Sequence, residues 1–134
     1  MSSSGRRALR YLAASPGTLP GLLFAGITLA FGATARIRDG VLEVADGALA
    51  RGTSRLLGLA AITFGHVVLG TSHELLDRER AHEHDHVRQY ERWSLLFFPL
   101  YLGSSALALL RGKDPYRDNV FERRARAAAE LRSA

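Results

Sequence analysis

The most prominent pattern in the chain is a run without charged residues between Arg10 and Arg36. As a helix, this run is long enough to cross the hydrocarbon core of a bilayer, which is about 30 Å thick. Two prolines interrupt its first part, so the pattern predicts that the helix begins near Pro20. We therefore expect residues 1–35 to form an N-terminal tail and membrane anchor, with the transmembrane helix in residues 20–35.

A cleaved secretory signal is the alternative interpretation of the same run. Arg6, Arg7 and Arg10 precede it like the basic start of a signal, and Ala33-Thr34-Ala35 has the small-x-small form of a cleavage site. The length of the uncharged run favours an uncleaved anchor. Arginines flank the run on both sides, so the charge pattern does not predict the orientation of the helix in the membrane.

Short strands are predicted after the anchor. Residues 36–46 alternate apolar and polar positions around the turn signal Asp39-Gly40, which predicts a hairpin. Residues 61–69 are rich in β-branched side chains and are followed by Gly70, which predicts one further strand. The strand content predicts an α+β fold with short antiparallel strands.

Two helices and an apolar segment are predicted in the second half of the chain. Thr71 and Glu74 have the spacing of a capping box, with Thr71 as the N-cap, and predict a helix that continues to about Trp93. Residues 93–110 carry no charge but contain a proline and a glycine, which favours a bent segment. From Asp114 onward, an Asp-Pro pair and an alanine-rich sequence predict a C-terminal helix.

The composition limits the possible chemistry. With 134 residues, 47% apolar and 23% charged, the chain has the composition of one folded domain and not of a disordered protein. It contains no cysteine, which excludes disulfides, thiolate metal sites and cysteine nucleophiles. Any bound metal ion must therefore be held by His, Asp or Glu side chains.

One motif carries candidate chemistry. His82, Glu83 and His86 fit the pattern H-E-x-x-H, and the helical spacing of four residues places both imidazoles on one face. Both can then reach one Zn²⁺ ion at about 2.0–2.1 Å, with Glu83 beside the ion as the general base. On a helical wheel the motif lies in the apolar stripe, whereas His84 and Asp85 are expected to point to solvent.

A third ligand has to come from another part of the chain. Glu122 is the first candidate because it shares the apolar face of the C-terminal helix, and Asp118 on the same face is the reserve candidate. The alternative is an exposed Glu122 that pairs with Arg126 at i+4. Tyr116 or His66 are the candidates for a second donor to the substrate, and simple packing accounts equally well for Tyr116.

The chain resembles two groups of proteins. The segments Ala61-Ile62-Thr63-x-Gly65 and His82-Glu83-x-x-His86-Val87-x-Gln89 resemble small bacterial gluzincin-type domains, in which a strand precedes an H-E-L-x-H-V-x-Q helix. More closely, RAHEHDHVRQYERW and GKDPYRDNVFERRA resemble a group of uncharacterised small bacterial membrane proteins. The resemblance covers residues 36–126. It implies a zincin-like domain over residues 36–134, with an edge strand, an active-site helix and Glu122 as the third ligand.

The expected function is therefore a membrane-anchored zinc peptidase of the bacterial inner membrane. Zn²⁺ would be held by His82, His86 and Glu122 with water in the fourth position, and Glu83 would take a proton from that water. A peptide or protein substrate would pair with the edge strand, residues 62–69. If residues 93–110 crossed the bilayer, the ligands would lie on opposite sides of it, so this segment is expected to be re-entrant or to lie on the membrane surface.

Two other functions are compatible with the same sequence. The first is a non-catalytic membrane protein that uses this fold for assembly or for a structural metal ion. The second is an arginine patch in the C-terminal tail that binds nucleic acid or anionic lipid. Two glutamates dilute the patch and no recognition motif accompanies it, so no nucleic-acid partner is expected. Its arginines are Arg123, Arg124, Arg126 and Arg132.

Overall fold

The computed structural model of the protein describes residues 2–133, which form an α+β fold of helices around a small four-stranded sheet. An N-terminal apolar helix precedes the sheet, as predicted. The elements in chain order are α1 (Ser3–Ala30), β1 (Thr34–Arg38), β2 (Val41–Ala45), α2 (Ala48–Leu57), β3 (Ala61–Phe64), β4 (Val67–Gly70), α3 (His73–Trp93), a 3₁₀ turn (Ser94–Leu96), α4 (Phe97–Leu110) and α5 (Val120–Ser133).

Helix α1 is longer than predicted. It runs through Pro16 and Pro20 instead of beginning near Pro20. A proline cannot donate a hydrogen bond to the carbonyl four residues earlier. At Pro16 that carbonyl belongs to Leu12, and the Ser15 hydroxyl donates to it at 2.7 Å. The side chain of Ser15 therefore replaces one backbone hydrogen bond that the proline removes.

The sheet is mixed and has the strand order β1-β2-β4-β3. The predicted hairpin is confirmed, because β1 and β2 pair antiparallel around Asp39 and Gly40, both with positive φ of 52° and 77° as a tight hairpin turn requires. The expectation of antiparallel strands throughout is wrong, since β2 and β4 pair in parallel. The sequence pattern did not predict helix α2. This helix belongs to the long connection that a parallel pairing of β2 with β4 requires.

The predicted single strand over residues 61–69 is a hairpin. Strands β3 and β4 pair antiparallel, with Gly65 and His66 in the turn between them. Gly65 has a φ of 59° and lies against Thr18 and Ala14 of α1, so a side chain would fit neither the backbone conformation nor the space. Of these two strands, β3 is therefore the one at an edge of the sheet, whereas β4 lies between β2 and β3.

Helix α3 ends at Trp93 as predicted but begins differently. Its N-cap is Ser72, whose hydroxyl accepts from the backbone N–H of Leu75 at 3.1 Å. The hydroxyl of the predicted N-cap, Thr71, instead donates a hydrogen bond to the carbonyl oxygen of Ala60, which lies just before β3. The Ser72 side chain thus takes the capping role expected of its neighbour.

The second apolar segment and the C-terminal helix also differ from prediction. The break lies at Ser94, where φ is +51°, and α4 continues without interruption through its proline and glycine. Pro99 lies in the first turn of α4, where no backbone N–H is needed.

Helix α5 begins at Val120 and not at Asp114, because the Asn119 side chain accepts a hydrogen bond from the backbone N–H of Phe121. Asp114 closes the preceding turn.

One face of α1 packs against the rest of the molecule. Ala14, Gly17, Gly21 and Ala25 on this face are buried. The absence of large side chains allows the helix to approach Tyr90 of α3 and the β3–β4 hairpin closely. Helix α1 therefore contributes to the core, and the division of the chain near residue 35 stays a prediction.

Within residues 2–133, two helices are long and apolar enough to cross a membrane. One is Ser3–Ala30, and the other is the helical stretch His73–Leu110, whose uncharged part is residues 93–110. The outward faces of α1 and α4 expose many large apolar side chains, which is unusual for a chain surrounded only by water. They include Leu12, Leu19, Leu23, Leu102, Leu109 and Leu110.

Candidate metal centre

Three predicted ligands meet in the interior. His82 and His86 on α3 and Glu122 on α5 are all buried. The Glu122 Oε2 atom lies 3.0 Å from His82 Nε2 and 3.1 Å from His86 Nε2. The two imidazole Nε2 atoms are 3.2 Å apart. The three side chains thus form a buried group that can hold a metal ion.

The spacing of these atoms fits a small divalent cation. Ligand atoms at about 2.0–2.1 Å from a tetrahedral ion lie about 3.3 Å from each other. The observed separations of 3.0, 3.1 and 3.2 Å are close to that value. The packing of α5 against α3 places the Glu122 carboxylate next to the two histidines. An ion bound by these three residues would keep a fourth position for another ligand.

Gln89 determines which nitrogen of His86 faces the group. The Gln89 amide nitrogen donates to the Phe121 carbonyl at 3.0 Å, which directs its oxygen to His86 Nδ1 at 2.8 Å. Nδ1 must therefore carry the hydrogen, and in the neutral ring the lone pair of Nε2 points at the Glu122 carboxylate. These two acceptors need either a proton on His86 Nε2 or a metal ion between them. A metal ion satisfies all three ligands at once.

Tyr101 fixes the other oxygen of the carboxylate. Its hydroxyl donates to Glu122 Oε1 at 2.7 Å, which leaves Oε2 for the two histidines. Tyr101 is not among the site residues predicted from the sequence. Nothing in its spacing relates it to Glu122, because the contact depends on how α4 packs against α5.

Glu83 lies beside the three ligands and not among them. Its Oε2 accepts a hydrogen bond of 2.7 Å from the hydroxyl of Thr63, which lies on the edge strand β3. Burial raises the pKa of Glu83, and the neighbouring His86 and Thr63 only partly oppose this effect. Glu83 is therefore a buried carboxyl group next to the three ligands, and its role as general base stays a prediction.

The charges of the group depend on each other. Burial alone would raise the pKa of Glu122, but hydrogen bonds from His82 and His86 hold it well below its usual range. Burial likewise disfavours protonated His86, yet the Glu122 carboxylate raises the pKa of this imidazole above its ordinary value. The carboxylate is thus ionised and attracts a positive charge to the site.

A cleft of about 250 Å³ opens onto the group. Glu83, His86 and Glu122 line it, and strand β3 forms one wall. The remaining lining is mainly apolar and aromatic, which is typical of a pocket that binds an organic ligand. These residues are Leu59, Ala61, Ile62, Phe64, Tyr90, Phe97, Phe98, Tyr101, Leu102 and Tyr116.

Several predicted site residues lie elsewhere. Asp118 is exposed and accepts from the backbone N–H of Asp114, so it does not replace Glu122. The alternative of an exposed Glu122 paired with Arg126 is wrong, because Glu122 is 4% exposed. Of the two candidate donors, Tyr116 lines the cleft. His66 does not line the cleft, because its imidazole forms a hydrogen bond with Glu91 on a different face of α3.

The expectation that His84 points to solvent is also wrong. His84 is buried, and its Nε2 lies 3.3 Å from the Glu43 carboxylate, although the two groups are not aligned for a hydrogen bond. Glu43 on β2 is itself buried and accepts hydrogen bonds from Arg36 and Arg80. The hairpin β1–β2 covers a face of α3 that the helical wheel leaves open.

No protein-family model, curated protein or solved structure matches this chain. The zincin-like fold therefore rests on the sequence motifs.

Proposed function

We propose that this protein is a membrane-associated, zinc-dependent hydrolase, with peptides as its substrate class. The observation that carries the proposal is the convergence of His82, His86 and Glu122 on one point, with Glu83 beside it at the end of an apolar cleft. Two imidazoles and one carboxylate are a ligand set of catalytic zinc sites, which keep one position open.

The proposed chemistry assigns one task to each side chain. A bound Zn²⁺ ion would supply Lewis-acid stabilisation of charge and would favour deprotonation of water. Glu83 accepts the proton of the attacking water and passes it to the leaving amine. Thr63 holds the Glu83 carboxylate in place by the hydrogen bond at 2.7 Å. Tyr116, which lines the cleft, is the candidate donor to the substrate carbonyl.

The free edge of strand β3 is the reason to propose a peptide as the substrate. One of its edges is paired with β4, and in the described residues its other edge has no partner strand. An extended peptide can add to such an edge through backbone hydrogen bonds. Because Thr63 on this strand bonds to Glu83, a peptide bound there would have its backbone next to the proposed base.

The first test separates metal binding from hydrolysis. We expect purified wild-type protein to contain zinc by elemental analysis and to cleave quenched fluorescent peptides of mixed sequence in detergent. Glu83→Gln should keep the zinc and lose at least about 10²-fold in hydrolysis rate. Glu79→Gln is the matched control, because Glu79 lies one helical turn earlier and is exposed.

The double variant His82→Ala/His86→Ala tests the ligand assignment. It should lose zinc, whereas His73→Ala, at the start of the same helix, should retain it. Stoichiometric zinc in the double variant would contradict the proposed site. Zinc in the wild type without peptide hydrolysis under any condition would reject the enzyme and favour the structural metal ion of a non-catalytic membrane protein.

A further inference from the structure

A second cavity, of about 840 Å³, lies away from the metal-binding group and shares no lining residue with the first cleft. Helices α1, α3 and α5 and the turn of the β1–β2 hairpin surround it. Five arginines line it, and we call it the arginine cavity. They are Arg7 and Arg10 of α1, Arg88 and Arg92 of α3, and Arg132 of α5.

Most of this positive charge is not neutralised within the described residues 2–133. Asp39 and Glu91 are the acidic residues that line the cavity, and Glu91 already binds His66 at 2.8 Å. Arg88 binds Asp85, which lies outside the cavity lining. The other cavity arginines have no carboxylate partner in this part of the chain. Like charges gathered from three helices repel one another, so an anion among them would stabilise the assembly.

The inner wall offers one buried polar atom without a partner. His66 and His84 line the cavity and are 6% and 7% exposed. The Nδ1 atom of His66 is buried and has no hydrogen-bond partner in the described structure, whereas the Nε2 atom of His84 lies 3.3 Å from the Glu43 carboxylate. Buried polar atoms without a partner are rare in folded proteins and indicate a missing ligand or water.

The wall that carries this atom is held in place from α1. Tyr11 stacks on the His66 ring with a centroid distance of 4.1 Å, and its hydroxyl donates to the Gly40 carbonyl at 2.6 Å. The cavity is therefore formed before any ligand binds, which lowers the entropic cost of binding.

We propose that the arginine cavity binds a phosphate group. Guanidinium groups bind phosphate oxygens through paired hydrogen bonds, and several arginines around one anion are a common phosphate site. The cavity is larger than inorganic phosphate needs, so the group belongs to a larger molecule. Arg7 and Arg10 lie just before the uncharged part of α1, where a helix that enters a bilayer meets the lipid headgroups. The site is independent of the proposed zinc chemistry.

The only tryptophan in the chain provides the readout. The guanidinium of Arg92, a cavity residue, lies 5.7 Å from the centre of the Trp93 ring. An anion bound to Arg92 should change the Trp93 fluorescence. The full-length protein in neutral detergent is titrated separately with pyrophosphate and with dihexanoyl phosphatidic acid, at constant ionic strength, with sodium chloride as the blank.

We expect a saturable fluorescence change with at least one of these two probes. A response to both means that the cavity recognises the phosphate group itself. A response to the lipid alone identifies a headgroup as the source, and a response to pyrophosphate alone identifies a soluble phosphate ester. The absence of a saturable response to either probe would overturn the proposal.

Two variants locate the binding. Arg7→Gln/Arg10→Gln should raise the dissociation constant at least tenfold, and Arg132→Gln, on a different helix, should raise it several-fold without altering α1. Arg123→Gln/Arg124→Gln removes the same charge from the exposed surface of α5 and should leave the constant within twofold. Equal effects of the cavity and control pairs would show that general charge, and not this cavity, causes the binding.

Discussion

The side-chain amide of Gln89 orients one of the three candidate metal ligands without being a ligand itself. By accepting from His86 Nδ1 and donating to the Phe121 carbonyl, it connects α3 to α5 and orients the imidazole. A ligand held by such a partner is oriented before the ion arrives. Tyr101 has the same function for Glu122.

The Tyr101 hydroxyl is expected to strengthen metal binding. Tyr101→Phe removes the hydrogen bond to Glu122 Oε1 and leaves the carboxylate free to rotate, so the zinc affinity should fall about 10- to 100-fold. A competition titration with a zinc chelator measures this change. Tyr90→Phe is the control, because Tyr90 lines the same cleft but its hydroxyl has no hydrogen bond to a ligand in the described residues. Unchanged affinity in Tyr101→Phe would show that Glu122 needs no such support.

The sequence predicted the central residues of this site and not their supports. The spacing of four between His82 and His86 is a property of one helix, so it can be recognised without a structure. Glu122 could be selected because apolar residues share its helical face. Thr63, Gln89 and Tyr101 act through contacts between elements, which depend on tertiary packing and leave no local pattern.

At the scale of elements, the contact between α1 and the β3–β4 hairpin depends on Gly65. Gly65→Ala would combine a positive φ with a clash against Thr18 and Ala14, and we expect a loss of about 2–5 kcal/mol in the free energy of unfolding. Denaturant titration in detergent measures the loss. In Gly103→Ala, the added methyl group meets no atom within 4 Å, and the stability of α4 should increase by up to about 1 kcal/mol.

The ion pairs of Glu43 connect β1, β2 and α3. Burial alone would raise the Glu43 pKa, but hydrogen bonds from Arg80 and Arg36 lower it below 4.5. A lowered folded-state pKa means that the ionised carboxylate stabilises the fold fully above the pKa of the unfolded state, and that this contribution is lost as the pH falls through the lowered pKa. Glu43→Gln should therefore cost about 3 kcal/mol at pH 7 and progressively less below pH 4.5.

Urea titrations of the wild type and of Glu43→Gln at pH 7 and at pH 4 or below check this dependence. Asp77→Asn is the control, because Asp77 contacts the same two arginines but its side chain is 53% exposed. Its effect should be small at every pH. A constant difference between wild type and Glu43→Gln at all pH values would contradict the assignment of the effect to the carboxylate.

The elements that the sequence predicted incorrectly share a cause. The prolines of α1 placed the predicted start of this helix near Pro20, yet Ser15 replaces the hydrogen bond lost at Pro16 and the small-residue face packs against the core on both sides of Pro20. The strand over residues 61–69 is divided because α1 approaches at Gly65. In both cases a distant part of the chain overrides the local preference.

At the scale of the whole molecule, α1 has one face in the core and an opposite face that exposes leucines. We expect the mature protein to retain this helix, because removal up to residue 35 would uncover the partners of Ala14 and Ala25. The intact mass of protein isolated from membranes should include residues 1–35, and the protein should stay in the membrane fraction after an alkaline carbonate wash. A mass that corresponds to a chain starting after residue 35 would instead identify a cleaved signal.

The small-residue face of α1 has a practical consequence for anyone who shortens the protein. A fragment from residue 36 onward would contain every side chain of the metal-binding group, so it is an attractive choice for soluble expression. Without the helix, however, the aromatic ring of Tyr90 and the turn at Gly65 would be open to water, and such fragments should aggregate. A synthetic peptide of residues 2–35, added during refolding in detergent, should restore a folded two-chain protein.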